Sequence, residues 1–188
     1  MIFGLAGRAG AGKDSVADVL EGFGVVPCKL ATPLYEMVSA MTGLPVEHLM
    51  DRCCKEQPIA GIGKSPRQLL QSIGTDWGRT FVGDDVWIKS LDARTRLIRL
   101  RGASICVTDV RFDNEARWVR DNGGAVWEVV RPHHDTGCVG EAVHHASEAG
   151  IDPLLIDRVI VNDGTLQDLR EQVLLAMHAP HSRTPKIS

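Results

Sequence analysis

The sequence lacks long apolar runs and any strong excess of charge. No stretch is apolar for long enough to span a membrane, and no basic segment followed by an apolar run stands at the start. We therefore expect neither a signal peptide nor a membrane partner. The formal net charge is only −3, whereas general nucleic-acid binders are usually basic, so we expect no nucleic-acid partner. The 188 residues, 44% of them hydrophobic, suffice for one domain with a sizeable core.

Cysteine pairs with C-x-x-C spacing are absent as well. The five cysteines are an odd number, which argues against a disulfide framework. Reduced thiols and a cytoplasmic location are then expected. The last residues, "HAPHSRTPKIS", contain two prolines and no apolar periodicity, so we predict a flexible tail over 179–188.

Strands and helices alternate along the rest of the chain. Five apolar segments predict strands: "MIFGLAG", "VVPCKLA", "ASICVTDVR", "AVWEVVRP" and "DRVIVND". The first helix is predicted from Val16, Val19, Leu20 and Phe23, and the last over "TLQDLREQVLLAMH" with Thr165 as its cap. This order predicts an α/β fold with a parallel sheet of about five strands flanked by helices. Pro27 places its strand at a sheet edge, or marks the start of that strand.

A long helical insertion over 32–102 interrupts this alternation. Thr32 with Pro33, and Ser65 with Pro66, are typical of an N-cap followed by proline at the first helical position. The second helix is predicted to carry an apolar stripe of Leu70, Ile73 and Trp77, and a polar face with Arg67 and Gln71. A third helix is predicted from Val86, Leu91 and Leu97.

The stretch "GRAGAGKDS" nearly matches the phosphate-binding motif G-x-x-x-x-G-K-[ST]. It follows a predicted strand and opens a predicted helix, which is the context that the motif requires. Glycines let backbone N–H groups turn toward phosphate oxygens, the helix N-terminus adds positive potential, and Lys13 reaches the outer phosphates. The predicted ATP-binding residues are Gly7, Arg8, Ala9, Gly10, Ala11, Gly12, Lys13, Asp14 and Ser15. The alternative is a glycine-rich turn with a surface lysine.

Asp14 departs from the motif, in which a Ser or Thr hydroxyl holds Mg²⁺. Asp14 could act through water or face away from the metal, and Ser15 can still reach a phosphate oxygen. The departure weakens a GTPase or motor ATPase interpretation more than that of a small-molecule kinase. Asp109 ends a buried-looking strand, where it could bind Mg²⁺ waters or orient the acceptor phosphate. Its alternative role is a helix N-cap. Ser15 and Asp109 are thus the predicted magnesium residues.

Six segments, in their order along the chain, resemble the bacteriophage-type deoxynucleoside monophosphate kinases. They are "GRAGAGKDS", "SPRQLLQSIGTDWGR", "DDVW", "TDVRFDNEA", "HHASE" and "VIVNDGTLQDL". The resemblance extends to about Met177. It implies a single P-loop kinase domain over 1–178, with a core (1–31 and 103–178), a helical monophosphate-binding insertion (32–102) and a lid loop (132–150).

The same resemblance implies an activity and a setting. The ATP γ-phosphoryl group would pass to a deoxynucleoside monophosphate in the presence of Mg²⁺. The protein would act on nucleotides as a monomer or homodimer, in the cytoplasm of a phage-infected or prophage-carrying bacterium.

Roles for further residues also follow from the resemblance. The predicted catalytic residues are Lys13, Asp109, Arg111 and Arg131. The predicted acceptor-binding residues are Arg67, Gln71, Arg79, Trp87, Arg111, His145, Ser147 and Glu148. A solvated helix face is the alternative for Arg67 and Gln71. A surface ion pair is the alternative for Arg111, and a core position for Trp87. For the H-x-S-E element, His145 to Glu148, the alternative is a loop with a helix cap.

The candidate lid has no Arg or Lys between Pro132 and Ile151. It differs in this from the arginine-rich lids of adenylate-kinase-like enzymes, so Arg131 and Arg8 are the candidates to supply positive charge. The nearby histidines and cysteine, His133, His134, Cys138, His144 and His145, do not have a standard zinc-ligand spacing. We therefore predict no zinc site.

Two other functions remain open. Another small-molecule P-loop kinase, similar to dephospho-coenzyme A kinase, has a comparable loop and a comparable final "NDG" strand end. A non-catalytic nucleotide binder is the second, although the sequence has neither an N-K-x-D guanine motif nor oligomeric ATPase elements. The acceptor of the phosphoryl group, or its absence, distinguishes the three functions.

Overall fold

A computed structural model describes residues 1–51, 53–132 and 150–179. Its five strands are β1 (Ile2–Ala6), β2 (Val26–Cys28), β3 (Ile105–Val107), β4 (Ala125–Val130) and β5 (Arg158–Val161). They form one parallel sheet in the order β2-β3-β1-β4-β5. The predicted fold class, a parallel α/β sheet flanked by helices, is confirmed.

Seven α-helices lie within the described ranges. They are α1 (Lys13–Glu21), α2 (Thr32–Thr42), α3 (Val46–Met50), α4 (Pro66–Gln71), α5 (Val86–Leu100), α6 (Asp113–Asp121) and α7 (Leu166–His178). A π-helical segment, Ser72–Val82, follows α4, and a short 3₁₀ turn, Pro153–Leu155, precedes β5. None of the helices in the part of the chain that the structure describes combines the length and apolarity needed to cross a membrane.

The chain divides into two compact units. The first, Met1–Cys28 with Thr95–Ser188, contains the whole sheet, and the second, Lys29–Arg94, contains α2, α3, α4, the π-helical segment and the start of α5. The role of the helical insertion in binding an acceptor stays a prediction. The predicted lid falls almost entirely on 133–149 and the predicted tail on 180–188, which lie outside the described residues.

The core of the first unit is built around β1 and β4. Leu5 and Trp127 are fully buried, and the Phe3 ring meets the Trp127 ring edge-on with centroids 5.0 Å apart. Val16 and Leu20 from α1 join the same cluster. Each such side chain contributes roughly 1.5–3 kcal/mol of burial free energy. This packing anchors α1, and with it the loop that joins β1 to α1.

Strand β2 lies at an edge of the sheet, as Pro27 predicts. The Val26 N–H donates to the Ser104 carbonyl at 2.9 Å, and the Cys28 carbonyl accepts the Thr108 N–H at 3.0 Å. Both neighbours of Pro27 therefore direct backbone groups toward β3. Pro27 itself, which has no N–H, turns the other way, toward the outer edge.

The second unit is organised around Trp87, which is only 7% exposed. Its indole N–H donates to the Gly74 carbonyl at 2.7 Å. A Cβ on Gly78 would collide with the Trp87 ring, so glycine lets the π-helical segment approach the indole closely. Leu91 from α5 and Val38 from α2 are fully buried in the same unit.

Three predicted apolar positions are wrong. Trp77 is 46% exposed and Leu97 67% exposed, while Phe23 lies beyond the end of α1 and is also exposed. Trp77 leaves the predicted stripe because its segment is π-helical, so the spacing of a 3.6-residue turn no longer applies. The residues buried there are Gly74 and Gly78.

The predicted cap at Thr32 is displaced by one residue. Helix α2 includes Thr32, its N-cap is Ala31, and the Thr32 hydroxyl donates to the Lys29 carbonyl at 3.1 Å. The N-cap residue of α2 makes no side-chain hydrogen bond to the helix. At α4 the predicted cap is confirmed, because Ser65 and Gln68 form a reciprocal capping box.

Candidate active site

The loop between β1 and α1 contains three glycines with positive φ angles. Gly7, Gly10 and Gly12 have φ angles of 130°, 80° and 100°, which residues with a Cβ rarely adopt. A Cβ on Gly7 would collide with the Val129 carbonyl, and one on Gly12 with the Asn162 amide. The loop thus requires glycine at both ends, for conformation and for space. Strand order changes direction around β1, which is where open α/β sheets bind ligands.

Asn162 holds this loop from the end of β5. Its side-chain amide donates to the Ala11 carbonyl at 2.9 Å, while its backbone N–H donates to the Val130 carbonyl at 2.8 Å. The sequence analysis did not predict this role. The available signal was the "NDG" stretch at the end of the last strand, since polar residues at carboxyl ends of parallel strands meet at one edge of the sheet.

The ammonium group of Lys13 folds back over the loop. Its Nζ donates to the Gly7 carbonyl at 2.7 Å and to the Arg8 carbonyl at 2.9 Å. Lys13 is the first residue of α1, so the positive end of the helix dipole lies at the same place. Fixed positive charge and a curved glycine backbone together suit a phosphate chain.

Ser15 and Asp14 differ in exposure within the first turn of α1. Ser15 is half-buried, whereas Asp14 is exposed. Asp109 is half-buried and lies two residues beyond the end of β3, which pairs with β1, the strand that leads into the loop. A serine hydroxyl and a carboxylate are hard oxygen donors, and Mg²⁺ typically takes one or two such groups together with substrate phosphates. The donor set therefore fits magnesium, which when bound neutralises phosphate charge.

Glu115 shapes the turn that carries Asp109 and Arg111. This carboxylate is only 5% exposed and accepts the backbone N–H groups of Arg111 at 2.7 Å and of Phe112 at 3.1 Å. The N-cap position of α6 is Phe112, so the alternative role of Asp109 as that cap is wrong. Glu115 was not predicted as a site residue, although "TDVRFDNEA" places it on the first turn of a helix.

Cys106 lies in the strand leading to Asp109. Burial raises the pKa of its thiol, and nearby Cys28 and Asp109 raise that pKa further. The Cys28 thiol donates to the Cys106 carbonyl at 3.4 Å. A thiol held protonated in this way is a poor nucleophile.

Arg111 and Arg131 are both exposed. Arg111 lies two residues beyond Asp109, and Arg131 follows β4 immediately. The remaining predicted residues of this unit, His145, Ser147 and Glu148, lie outside the described residues, as do His133, His134, Cys138 and His144. Within residues 1–51, 53–132 and 150–179 no three His, Cys, Asp or Glu side chains are grouped as metal ligands.

In the second unit, Arg67 and Gln71 lie on α4, four positions apart and half-buried. The Arg67 Nε donates to the Glu56 carboxylate at 2.6 Å. Arg79 lies half-buried in the π-helical segment. Trp87 is the exception among the predicted acceptor residues, because burial and its bond to Gly74 give it the core position that was its alternative.

Comparison with known proteins agrees with this geometry. The family model for deoxynucleotide monophosphate kinase matches residues 62–173, more than half of the chain. A protein of Acanthamoeba polyphaga mimivirus named "Putative deoxynucleotide monophosphate kinase" is 25% identical over 191 residues, covering 93% of this chain and 94% of its own length.

Two solved structures are also similar. Dephospho-CoA kinase from Campylobacter jejuni has a TM-score of 0.51 at 12% identity, with 94% of each chain covered. TT1252 from Thermus thermophilus has a TM-score of 0.47 at 20% identity, with 96% of this chain and 98% of that chain covered. The first likeness shows a shared kinase fold. From the family match, the chain belongs to the deoxynucleotide monophosphate kinase family and is an enzyme of nucleotide phosphotransfer.

Proposed function

We propose that this enzyme transfers the γ-phosphoryl group of ATP to a deoxynucleoside 5′-monophosphate, giving a deoxynucleoside diphosphate and ADP. One observation carries the proposal. A glycine loop closed by Lys13 follows β1, and β1 pairs with β3, the strand that leads to Asp109 and Arg111, in a chain of the deoxynucleotide monophosphate kinase family. A donor loop and acceptor-type side chains at neighbouring strand ends suit transfer between two phosphates.

The donor half of the reaction is assigned to the loop. Its backbone N–H groups and Lys13 bind the β- and γ-phosphates of ATP, with Lys13 exchanging its bonds to loop carbonyls for bonds to phosphate oxygens. Ser15 and Asp109 are the oxygen donors for Mg²⁺. Arg131 and Arg8 neutralise charge on the migrating group.

The acceptor half is assigned to Arg111, Arg67, Gln71 and Arg79. Guanidinium groups bind phosphate oxygens through paired N–H donors, and Gln71 contacts the nucleoside. The acceptor phosphate is already a dianion near neutral pH, so the chemistry requires no strong general base. Positioning and charge neutralisation supply most of the rate. His145, Ser147 and Glu148 remain proposed acceptor residues.

ADP release tests the proposal. Purified enzyme with Mg²⁺-ATP is supplied in turn with dGMP, dTMP, dCMP, dAMP, AMP and dephospho-coenzyme A. Release that depends on a deoxynucleotide supports the proposal and identifies the accepted bases. Release with dephospho-coenzyme A alone would replace the proposed acceptor by a coenzyme precursor. ATP binding without any acceptor-dependent release of ADP would contradict the proposed reaction.

A further inference from the structure

Lys55 and Tyr35 form a polar contact in the second unit that the proposed function does not use. The Lys55 ammonium donates to the Tyr35 hydroxyl at 2.8 Å and lies 5.5 Å from the centre of its ring. Tyr35 belongs to α2, is only 9% exposed, and follows the buried Leu34. The lysine is half-buried. The Tyr35 hydroxyl thus holds the ammonium group of the half-buried Lys55.

No carboxylate pairs with Lys55 among the residues that the structure describes. The adjacent acid, Glu56, pairs instead with Arg67 at 2.6 Å. Buried or half-buried cations usually have an anionic partner, because desolvation disfavours an uncompensated charge. The pair Arg67–Glu56 is neutral in sum, whereas Lys55 carries a positive charge with no carboxylate pair of its own among the described residues.

Backbone bonds bring Lys55 and Arg67 together. The Arg67 N–H donates to the Lys55 carbonyl at 3.1 Å, and the Ile59 N–H donates to the Lys64 carbonyl at 2.9 Å. The segment between Lys55 and Arg67 therefore turns back on itself. The backbone of Arg67, the proposed acceptor-phosphate residue, therefore lies directly beside the backbone of Lys55.

We propose that Lys55 binds the phosphate of the acceptor nucleotide together with Arg67, and that Tyr35 is the positioning residue that aims its ammonium group. This inference rests on the proposed function of Arg67. Glu56 offsets the charge of Arg67, and Lys55 adds one positive charge to those that Arg79 and Arg111 are proposed to offer the phosphate dianion. The remaining N–H donors of the ammonium are the groups offered to phosphate oxygens.

Kinetics of Lys55→Met provide the first test. The acceptor KM is expected to rise at least tenfold, while the KM for ATP and kcat change less than threefold. Lys55→Arg keeps the charge and is expected to restore most of the acceptor affinity. Lys64→Met removes the same charge from an exposed position on the same segment and is expected to leave the acceptor KM unchanged. Equal acceptor KM values in the wild type and Lys55→Met overturn the inference.

Tyr35→Phe tests the positioning role. Loss of the hydroxyl is expected to raise the acceptor KM less than Lys55→Met does, and to add nothing in the double variant. Purely structural damage would instead lower thermal stability and alter the KM for ATP as well. Independent, additive increases in acceptor KM would contradict a single Lys55–Tyr35 contact.

A spectroscopic readout needs no turnover. Tyr35 is the only tyrosine in the sequence, so protein grown with 3-fluorotyrosine gives one ¹⁹F signal. Each deoxynucleoside monophosphate of the panel, but not the matching deoxynucleoside, is expected to shift that signal, and Lys55→Met is expected to abolish the shift. A shift by the deoxynucleoside alone, or by neither ligand, overturns the inference.

The two proposals fail in different ways. Wild-type enzyme that phosphorylates no deoxynucleotide removes the proposed reaction, while the ¹⁹F titration still decides whether a nucleotide phosphate reaches Lys55. Wild-type turnover combined with an unaltered Lys55→Met variant leaves the reaction intact and removes only this inference.

Discussion

Lys13 donates to two carbonyl groups of its own loop, and in the proposed function phosphate oxygens of ATP take over the same N–H donors. Lys13→Ala deletes those donors from the loop without touching the apolar core of the first unit. We expect kcat to fall about a hundredfold or more, as when a preorganised donor to a reacting oxyanion is removed. Thermal stability is expected to change little. Lys89→Ala, at an exposed surface ion pair with Asp85, is the matched control, and full activity in Lys13→Ala would refute the loop assignment.

Arg67→Ala tests the acceptor side. Hydrogen bonds to charged groups are worth about 1.5–3 kcal/mol, so the acceptor KM is expected to rise roughly ten- to a hundredfold. The KM for ATP is expected to stay constant. Arg101→Ala, at an exposed position, provides the control for loss of one arginine. An unchanged acceptor KM in Arg67→Ala would return Arg67 to the solvated helix face that was its alternative.

Predictability differed among single residues for physical reasons. The loop residues could be predicted because the chemistry depends on fixed spacing of Gly7, Gly12 and Lys13 within one short segment. Asn162 acts on that loop from the far end of the chain, so no local pattern reveals it. Trp87 could be assigned to the core only once its bond to Gly74 was known.

Among the elements, α4 begins with a reciprocal N-terminal capping box. The Ser65 hydroxyl accepts the Gln68 N–H at 3.3 Å, and the Gln68 side chain accepts the Ser65 N–H at 3.0 Å. Ser65→Ala removes one of these bonds and is expected to cost about 1 kcal/mol. For a protein of this size, that corresponds to a fall in Tm of roughly 2–4 °C by calorimetry.

Ser72→Ala is the matched control for the cap. Ser72 is exposed at the other end of the same helix, so its replacement is expected to leave Tm within about 1 °C, in line with surface substitutions elsewhere. Equal Tm values for Ser65→Ala and the wild type would show that the cap contributes nothing to stability. Because α4 carries Arg67, the cap variant is also expected to raise the acceptor KM modestly.

Two helix starts were predictable because local chemistry decides them, whereas the start of α2 is displaced by one residue from its prediction. Ser65 and Thr165 precede true helix starts because their hydroxyl groups accept backbone N–H groups of the first helical turn. The π-helical segment was not predicted because Gly74 and Gly78 are placed by contacts with the Trp87 ring, which is distant in the local pattern. The short helix α3 was not predicted either, since five residues carry too little periodicity to be recognised.

At the scale of the whole molecule, the proposed ATP-binding loop lies in the first compact unit, and three of the proposed acceptor residues, Arg67, Gln71 and Arg79, lie in the second. Hydrogen–deuterium exchange measured with each nucleotide alone tests that division. ATP is expected to slow exchange over residues 7–15, and an accepted deoxynucleotide to slow exchange over residues 55–71. The control is the matching deoxynucleoside, which lacks the phosphate. Protection of residues 7–15 by both nucleotides, with none over 55–71, would contradict an acceptor site in the second unit.

The architecture could be predicted to a large extent from the sequence. Alternating apolar strands and amphipathic helices allow few arrangements other than a parallel α/β sheet. The strand order and the exact composition of the second unit could not be predicted, because both depend on contacts between distant segments. Pairing of β1 with β3, for example, joins residues 2–4 to residues 105–107.

Pro27 has a consequence for concentrated solutions of this protein. The neighbours of Pro27 direct their backbone hydrogen bonds toward β3, and Pro27 itself faces the outer edge of the sheet without an N–H. A strand from a second molecule that approached this edge would find a carbonyl but no donor at its centre. Growth of the sheet from one molecule into the next, the first step toward fibrils, is thereby obstructed at β2 by a single imino acid.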